Sequence, residues 1–228
     1  MAEQFLNQIQ QIFSLHADPI RAHSQQQYMK SSMPFWGIPK PTLTKLIIPI
    51  IKQHEPQSLE HYKENILYTF QNAQHREEWY AAVMYSRHYK LYIRPENIDL
   101  YINIILISQW WDIVDEVADH LIGKALLKVQ HREKYFEQWI KHHNLWIRRT
   151  ALIAQLKYKK QTDFNLLTNL ILEVAYEKEF FIRKAIGWSL REYSKTNPEV
   201  VRNFIENHKH QLSTLSIREG LKILERTS

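Results

Sequence analysis

Apolar and polar residues alternate along this chain with the period of an α-helix. In "YFEQWI", the apolar residues Tyr135, Phe136, Trp139 and Ile140 recur at the spacing that places them on one helical face. The run "YINIILI", residues 101–107, has the apolar content of a strand, but its length and its neighbours favour a buried helix. The chain has only 4 glycines in 228 residues, which does not suit a fold rich in turns and strands. The pattern therefore predicts an all-α protein.

The helical pattern also repeats along the chain. Ile-Arg pairs begin at Ile147, Ile182 and Ile217, each 35 positions after the last, and Tyr158 and Tyr193 keep the same spacing. A unit of about 35 residues fits a pair of helices, which has to stack on neighbouring pairs to bury its apolar faces. We therefore expect an α-solenoid with a concave surface.

We expect residues 1–228 to form a single α-solenoid domain. The segment up to about residue 55 is less regular and is expected to be an N-terminal helical cap, and residues from about 56 to 228 should form the repeats. Four prolines interrupt the first segment: Pro34, Pro39, Pro41 and Pro49.

Two local patterns concern helix ends and helix faces. Ser216 and Glu219 have the spacing of a capping box, which predicts that a helix begins there. If residues 108–123 form one helix, then Asp112, Glu116 and Asp119 share a polar face that water would solvate.

One acidic and one basic residue stand where core residues are expected. Asp115 shares a helical stripe with Trp111 and Ala118, and Arg149 shares a later stripe with Leu152. An unpaired charge is costly to bury, so each residue needs a partner or a cavity. The spacing leaves two alternatives open, which are a buried Asp–Arg pair between adjacent repeats and a functional site.

A cationic helix face in the C-terminal third contains an aromatic residue. Lys184, Trp188, Arg191 and Lys195 fall on this face, and Lys157 lies in the basic run "LKYKKQ". Cations around a tryptophan suit a sugar–phosphate backbone, because charge meets phosphate while the ring packs on sugar or base. The net charge of +6 agrees with a polyanionic partner. The alternative is a solvated basic face with one exposed tryptophan.

Composition argues against several other classes of protein. The chain contains no cysteine, which excludes disulfides and thiolate metal sites. The 12 histidines show no HExxH-type spacing, and there is no glycine-rich phosphate loop and no G-x-S-x-G motif. The longest apolar run, "LIIPII", is too short for a membrane span, and the amino terminus lacks the basic start of a secretory signal. We therefore expect a cytoplasmic protein with access to a bacterial-type nucleoid and no membrane association.

Four segments resemble the AlkD family of DNA alkylation-repair glycosylases. They are "QYMKSSMPFWGIPKPTLTKL", with its G-I-x-x-P element, "WWDIVDEV", "LWIRRTALIAQLKYK" and "EFFIRKAIGWSLREYSKTNPEVV". Together they span nearly the whole chain in order. The resemblance implies a solenoid of HEAT-like repeats whose concave basic groove binds duplex DNA. It also implies hydrolysis of the N-glycosidic bond of cationic alkylpurines, such as 7-methylguanine and 3-methyladenine, without base flipping and without a metal or organic cofactor.

The resemblance also implies roles for individual residues. The catalytic Trp, Asp and Arg of the family match Trp111, Asp115 and Arg149, with Arg148 as the alternative arginine. Asp115 would stabilise positive charge on the deoxyribose, and Arg149 would contact a phosphate. Trp188 and Tyr28 match a tryptophan and a tyrosine of the groove. The pattern of charges adds further DNA-binding candidates: Arg148, Lys184, Arg191 and Lys157.

Two functions other than glycosylase activity are compatible with a helical solenoid. One is a DNA-binding protein without catalytic activity, and the other is a scaffold for protein partners. A scaffold would bind its partners without releasing a base, whereas the basic face with its tryptophan favours nucleic acid. For the glycosylase we expect a monomer acting on double-stranded DNA that contains alkylated purines.

Overall fold

The computed structural model of this protein describes residues 2–226. Regular structure within that range is helical and contains no strand, which confirms the predicted all-α fold. The chain forms two compact units, Met1–Ser108 and Gln109–Ser228. Within each unit, neighbouring helices pack against one another, as in stacked helical repeats. The single solenoid domain, the boundary near residue 55 and the concave basic groove stay predictions.

The first unit is built around a core of buried aromatic residues. Phe5, Tyr62, Tyr85 and Tyr101 are fully buried, and the hydroxyl groups of Tyr62 and Tyr101 lie 3.0 Å apart. This pairing satisfies two polar groups that would otherwise be costly inside a core. The helices of this unit are α1 (Ala2–Ser14), α2 (Pro19–Met29), α3 (Lys40–Gln53), α4 (Leu59–Asn72), α5 (Arg76–His88) and α6 (Ile98–Ser108).

The G-I-x-x-P element of the first unit is held by a buried carboxylate. The backbone N–H groups of Trp36, Gly37 and Ile38 donate to Glu77 at 2.9, 2.9 and 3.2 Å. Gly37 has φ +84°, and a Cβ there would lie 2.2 Å from the carbonyl oxygen of Asp18. Glycine is therefore required at this position by both backbone conformation and space.

The second unit contains the remaining helices. Several of them begin at a residue whose side chain accepts a backbone N–H bond, such as Asn144, Asp163 and Asn197. The helices are α7 (Trp111–Val117), α8 (Gly123–Leu126), α9 (Glu133–Ile140), α10 (Leu145–Ile153), α11 (Phe164–Glu173), α12 (Phe180–Ser194), α13 (Pro198–His208) and α14 (Thr214–Leu221).

A π-helical turn, Ala118–Ile122, separates α7 from α8. The wider i→i+5 turn breaks the regular α-helical periodicity at Ala118. Asp119 in this turn is buried, with 5% of its surface exposed, and its carboxylate lies 3.4 Å from the amine of Lys157. The prediction that Asp119 shares a solvated acidic face is wrong, because this carboxylate is packed inside the unit beside Lys157.

Helix α14 packs closely against α12 in the second unit. A Cβ at Gly187 would lie 2.5 Å from the Cβ of Glu219, so the absence of a side chain at Gly187 allows this approach. The predicted capping box is wrong, because α14 begins one turn earlier, where Ser213 accepts a hydrogen bond from the N–H of Ser216 at 3.1 Å. The hydroxyl of Ser216 instead donates to the carbonyl of Arg183, and Glu219 faces α12.

Candidate active site in the second unit

Asp115 and Arg149, the two charged residues at apolar positions in the sequence, form a buried ion pair. Arg149 on α10 donates from Nε and Nη2 to the two carboxylate oxygens of Asp115 on α7, at 2.7 and 2.8 Å. The Arg149 side chain is 5% exposed and that of Asp115 is 16% exposed. A third bond runs from Nη1 of Arg149 to the carbonyl oxygen of Phe181 at 2.6 Å. The structure thus forms the Asp–Arg pair that the sequence offered as one of two alternatives.

The environment of Asp115 makes its negative charge depend on Arg149. Burial raises the pKa of Asp115, and the hydrogen bonds and the charge of Arg149 act in the opposite direction. The nearby carboxylates of Asp112 and Glu116 raise this pKa further. Asp115 therefore takes up a proton at a higher pH than an ordinary aspartate, and Arg149 is the group that favours the carboxylate.

Two aromatic rings lie near the guanidinium group of this ion pair. The guanidinium carbon of Arg149 lies 5.9 Å from the ring centroids of both Phe181 and Trp188, which is within cation–π range. Trp111 is the first residue of α7, one turn before Asp115, and is partly exposed. Trp110, which sequence reasoning missed, packs its ring against Phe181 with centroids 5.4 Å apart. The structure thus groups Asp115, Arg149 and Trp188, with Trp111 on the same helix as Asp115.

Arg148 points to a different carboxylate from that of Arg149. Its Nε and Nη2 donate to Glu177 at 2.8 and 3.0 Å, and its Nη1 donates to the carbonyl oxygens of His142 and His143 at 2.7 and 2.8 Å. Arg149 is therefore the arginine that contacts Asp115. These bonds tie Arg148 to the loops before α10 and α12, and its phosphate-binding role stays a prediction.

The cationic side chains predicted from the sequence to bind DNA form ion pairs with carboxylates. Lys184 and Arg191 both contact Glu219, at 3.0 and 2.6 Å, and Lys157 contacts Asp119 at 3.4 Å. The hydrogen bond from Lys184 is the main reason why the pKa of Glu219 lies below its usual value. From the sequence, Glu219 was assigned only to a capping box, and Glu177 was not singled out; both pair with arginines about one repeat away along the chain.

Tyr28 lies in the first unit, near the end of α2, and 77% of its surface is exposed. A large aromatic side chain with this exposure is free to contact a partner, as expected for a DNA-binding tyrosine. Its role in DNA binding stays a prediction.

Between residues 2 and 226, no group of three or more His, Asp or Glu side chains has the arrangement of a metal site. No helix in that same part of the chain has both the length and the apolar character needed to cross a bilayer.

The described residues thus define an all-helical protein in which two aromatic rings lie near the guanidinium group of a buried carboxylate–guanidinium pair. A family model described as DNA alkylation repair enzyme matches residues 9–224. The chain belongs to this family, which confirms the resemblance found in the sequence. A solved structure described as a predicted DNA alkylation repair enzyme from Enterococcus faecalis is similar, with 31% identity and a TM-score of 0.82 over 91% of this chain and 96% of that one. A comparison with curated proteins gave no match.

Proposed function

We propose that this protein hydrolyses the N-glycosidic bond of cationic alkylated purines, such as 7-methylguanine and 3-methyladenine, in duplex DNA. The observation that carries this proposal is the Asp115 carboxylate, held at 2.7 and 2.8 Å by an Arg149 side chain that also lies 5.9 Å from the ring of Trp188, in a member of a DNA alkylation repair family. The fixed position and the charge of this carboxylate suit a reaction that develops positive charge.

The chemistry that Asp115 would assist is heterolytic cleavage of a weakened bond. Alkylation at N7 or N3 makes the purine cationic, so the bonding electron pair leaves with the base and neutralises it. Positive charge then develops on the deoxyribose, and a water molecule attacks the anomeric carbon and loses a proton. A preorganised carboxylate stabilises such charge and can orient the water by hydrogen bonding.

Arg149 acts in this proposal as a positioning residue for Asp115. An ionised carboxylate has about four acceptor sites, so the two bonds from Arg149 leave room for a water molecule. Because three nitrogens of Arg149 are already bonded within the protein, this geometry supports an intramolecular role better than the expected phosphate contact.

The aromatic residues would bind the damaged nucleotide. Trp111 and Trp188 can hold a cationic base by cation–π interaction or pack on the deoxyribose. We propose that the lesion is cleaved without entering a base pocket, in contrast to base-flipping glycosylases. The second unit has a cavity of about 200 Å³, but neither Trp111 nor Trp188 lines it. Its lining includes Leu152, Gln155 and Tyr193.

The proposed contacts to the DNA backbone are Lys184, Arg191, Lys157 and Tyr28. Lys157 and Lys184 suit this role best among the cations, because 51% and 38% of their side chains are exposed. We propose that a monomer binds the duplex and that the reaction needs only water as a second reactant.

One observation favours a second candidate function. Both oxygens of Asp115 already accept bonds from Arg149, which is also what a purely structural ion pair would show. The protein would then bind alkylated DNA without releasing a base.

Release of the free base distinguishes these two functions. The protein is incubated with a duplex that contains one 7-methylguanine, the free base is quantified, and the resulting abasic site is cleaved by alkali. We expect strand cleavage at the lesion and an equal amount of free 7-methylguanine. Binding of the duplex with no release above the spontaneous rate would support the second candidate, and an undamaged duplex is the control.

A further inference from the structure

A single carboxylate lies between two cations of the proposed DNA-binding face. Glu219 on α14 contacts Lys184 through one oxygen at 3.0 Å and Arg191 through the other at 2.6 Å. Lys184 and Arg191 are two turns apart on α12, and Trp188 lies on the same face between them. Glu219 therefore has the charge and the two-point geometry that a phosphate group would present to the same cations.

The backbone fixes Glu219 in this position. Its side chain is 9% exposed, and its Cβ would lie 2.5 Å from a Cβ at Gly187, so close packing of α14 on α12 brings the carboxylate to the cations. The cations are more accessible than the carboxylate, with 38% of the Lys184 side chain and 23% of the Arg191 side chain exposed. Both can exchange partners by rotating their side chains, whereas Glu219 is held in place.

From this arrangement, which rests on the proposed DNA-binding function, we infer that Glu219 competes with DNA phosphate for Lys184 and Arg191. In the free protein Glu219 holds both cations and neutralises one of their two charges. On DNA binding, a phosphate replaces the carboxylate on one of the two cations, and Glu219 stays with the other. Glu219 thereby weakens binding to undamaged duplex and makes that binding less dependent on salt.

The test is the affinity of Glu219→Gln for an undamaged duplex at several salt concentrations. Glutamine keeps the size of the side chain and one acceptor oxygen but removes the charge. We expect binding about tenfold tighter near 0.1 M salt, and a plot of log affinity against log salt that is steeper by about 0.9, because one more counterion is released from the DNA. An affinity and a slope equal to those of the wild type would overturn the inference, and so would weaker binding.

Glu177→Gln is the matched control for net charge. It also removes one buried carboxylate that pairs with an arginine in the same unit. Arg148 remains bonded to the carbonyl oxygens of His142 and His143, so we expect no gain in salt dependence. An equal gain in this control would show a general effect of net charge and would overturn the specific role of Glu219.

Two further measurements keep the inference testable if Glu219→Gln does not fold. Lys184→Gln and Arg191→Gln should each reduce the magnitude of the salt slope in the otherwise unchanged protein, because Glu219 then neutralises the single cation that remains. Slopes equal to that of the wild type would show that the cations stay on Glu219, which overturns the inference.

These results are separate from the outcome for the proposed glycosylase. If the wild type binds duplex DNA but releases no alkylpurine, the glycosylase proposal fails, and the salt slopes still test Glu219. If the wild type releases 7-methylguanine while Glu219→Gln binds as the wild type does, only the inference about Glu219 fails.

Discussion

Asp115→Asn should slow the release of 7-methylguanine by about 100- to 1,000-fold, which is the usual loss when one electrostatic stabiliser of a transition state is removed. Asparagine keeps the size of the side chain and can still accept a bond from Arg149, but it carries no negative charge to place near the deoxyribose. Single-turnover kinetics at saturating protein measures this step, and DNA affinity should change little.

Asp112→Asn is the matched control for this variant. It makes the same chemical change on the same helix, three residues earlier, where the carboxylate accepts a bond from the N–H of Ile113 at 3.0 Å. Its excision rate should stay close to that of the wild type. An Asp115→Asn protein that is folded and excises 7-methylguanine at the wild-type rate would refute the catalytic role of Asp115.

Arg149→Gln should lower the free energy of unfolding by about 3–5 kcal/mol at neutral pH, because it leaves a buried carboxylate without its cation. Since Arg149 opposes the effect of burial, its loss should raise the pKa of Asp115 further. The folded state then binds a proton more readily than the unfolded chain, so its stability falls as pH rises through the range between the two pKa values. The deficit relative to wild type should thus be greatest at neutral pH and smaller in acid.

Denaturant unfolding at several pH values measures this effect for Arg149→Gln. Arg148→Gln is the matched control, because it also breaks a buried bidentate pair, here with Glu177. We expect both variants to be less stable. The rate of 7-methylguanine release should fall in acid for both, but only Arg149→Gln should move the midpoint of this fall to higher pH. If Arg149→Gln leaves this midpoint unchanged, the role of Arg149 in maintaining the Asp115 carboxylate is contradicted.

The sequence was sufficient for the central pair because its two members violate a local rule. Asp115 and Arg149 each occupy an apolar helical stripe, and a buried charge needs a partner, so the spacing alone identified both. The 35-residue period predicted that they belong to adjacent repeats, and the structure has them in contact on α7 and α10. The helical pattern likewise predicted the all-α fold.

The sequence was insufficient where a contact depends on packing between helices. Glu219 sits at a spacing from Ser216 that also fits a capping box, and only the close approach of α14 at Gly187 turns it towards Lys184. Asp119 was expected to face water, but it is buried in a turn where Lys157 from a later part of the chain reaches its carboxylate. Such features follow from three-dimensional packing, which local periodicity does not encode.

The dependence of excision on pH tests the central claim most directly. The single-turnover rate of 7-methylguanine release by the wild type is measured at saturating protein from neutral pH into acid, over the range in which the protein stays folded. We predict that the rate falls as one carboxylate takes up a proton, with a midpoint above the pKa of about 3.9 of an ordinary aspartate, and that Asp115→Asn lacks this step. A wild-type rate that is constant over this range, or that changes in parallel with the rate of Asp115→Asn, would contradict the account.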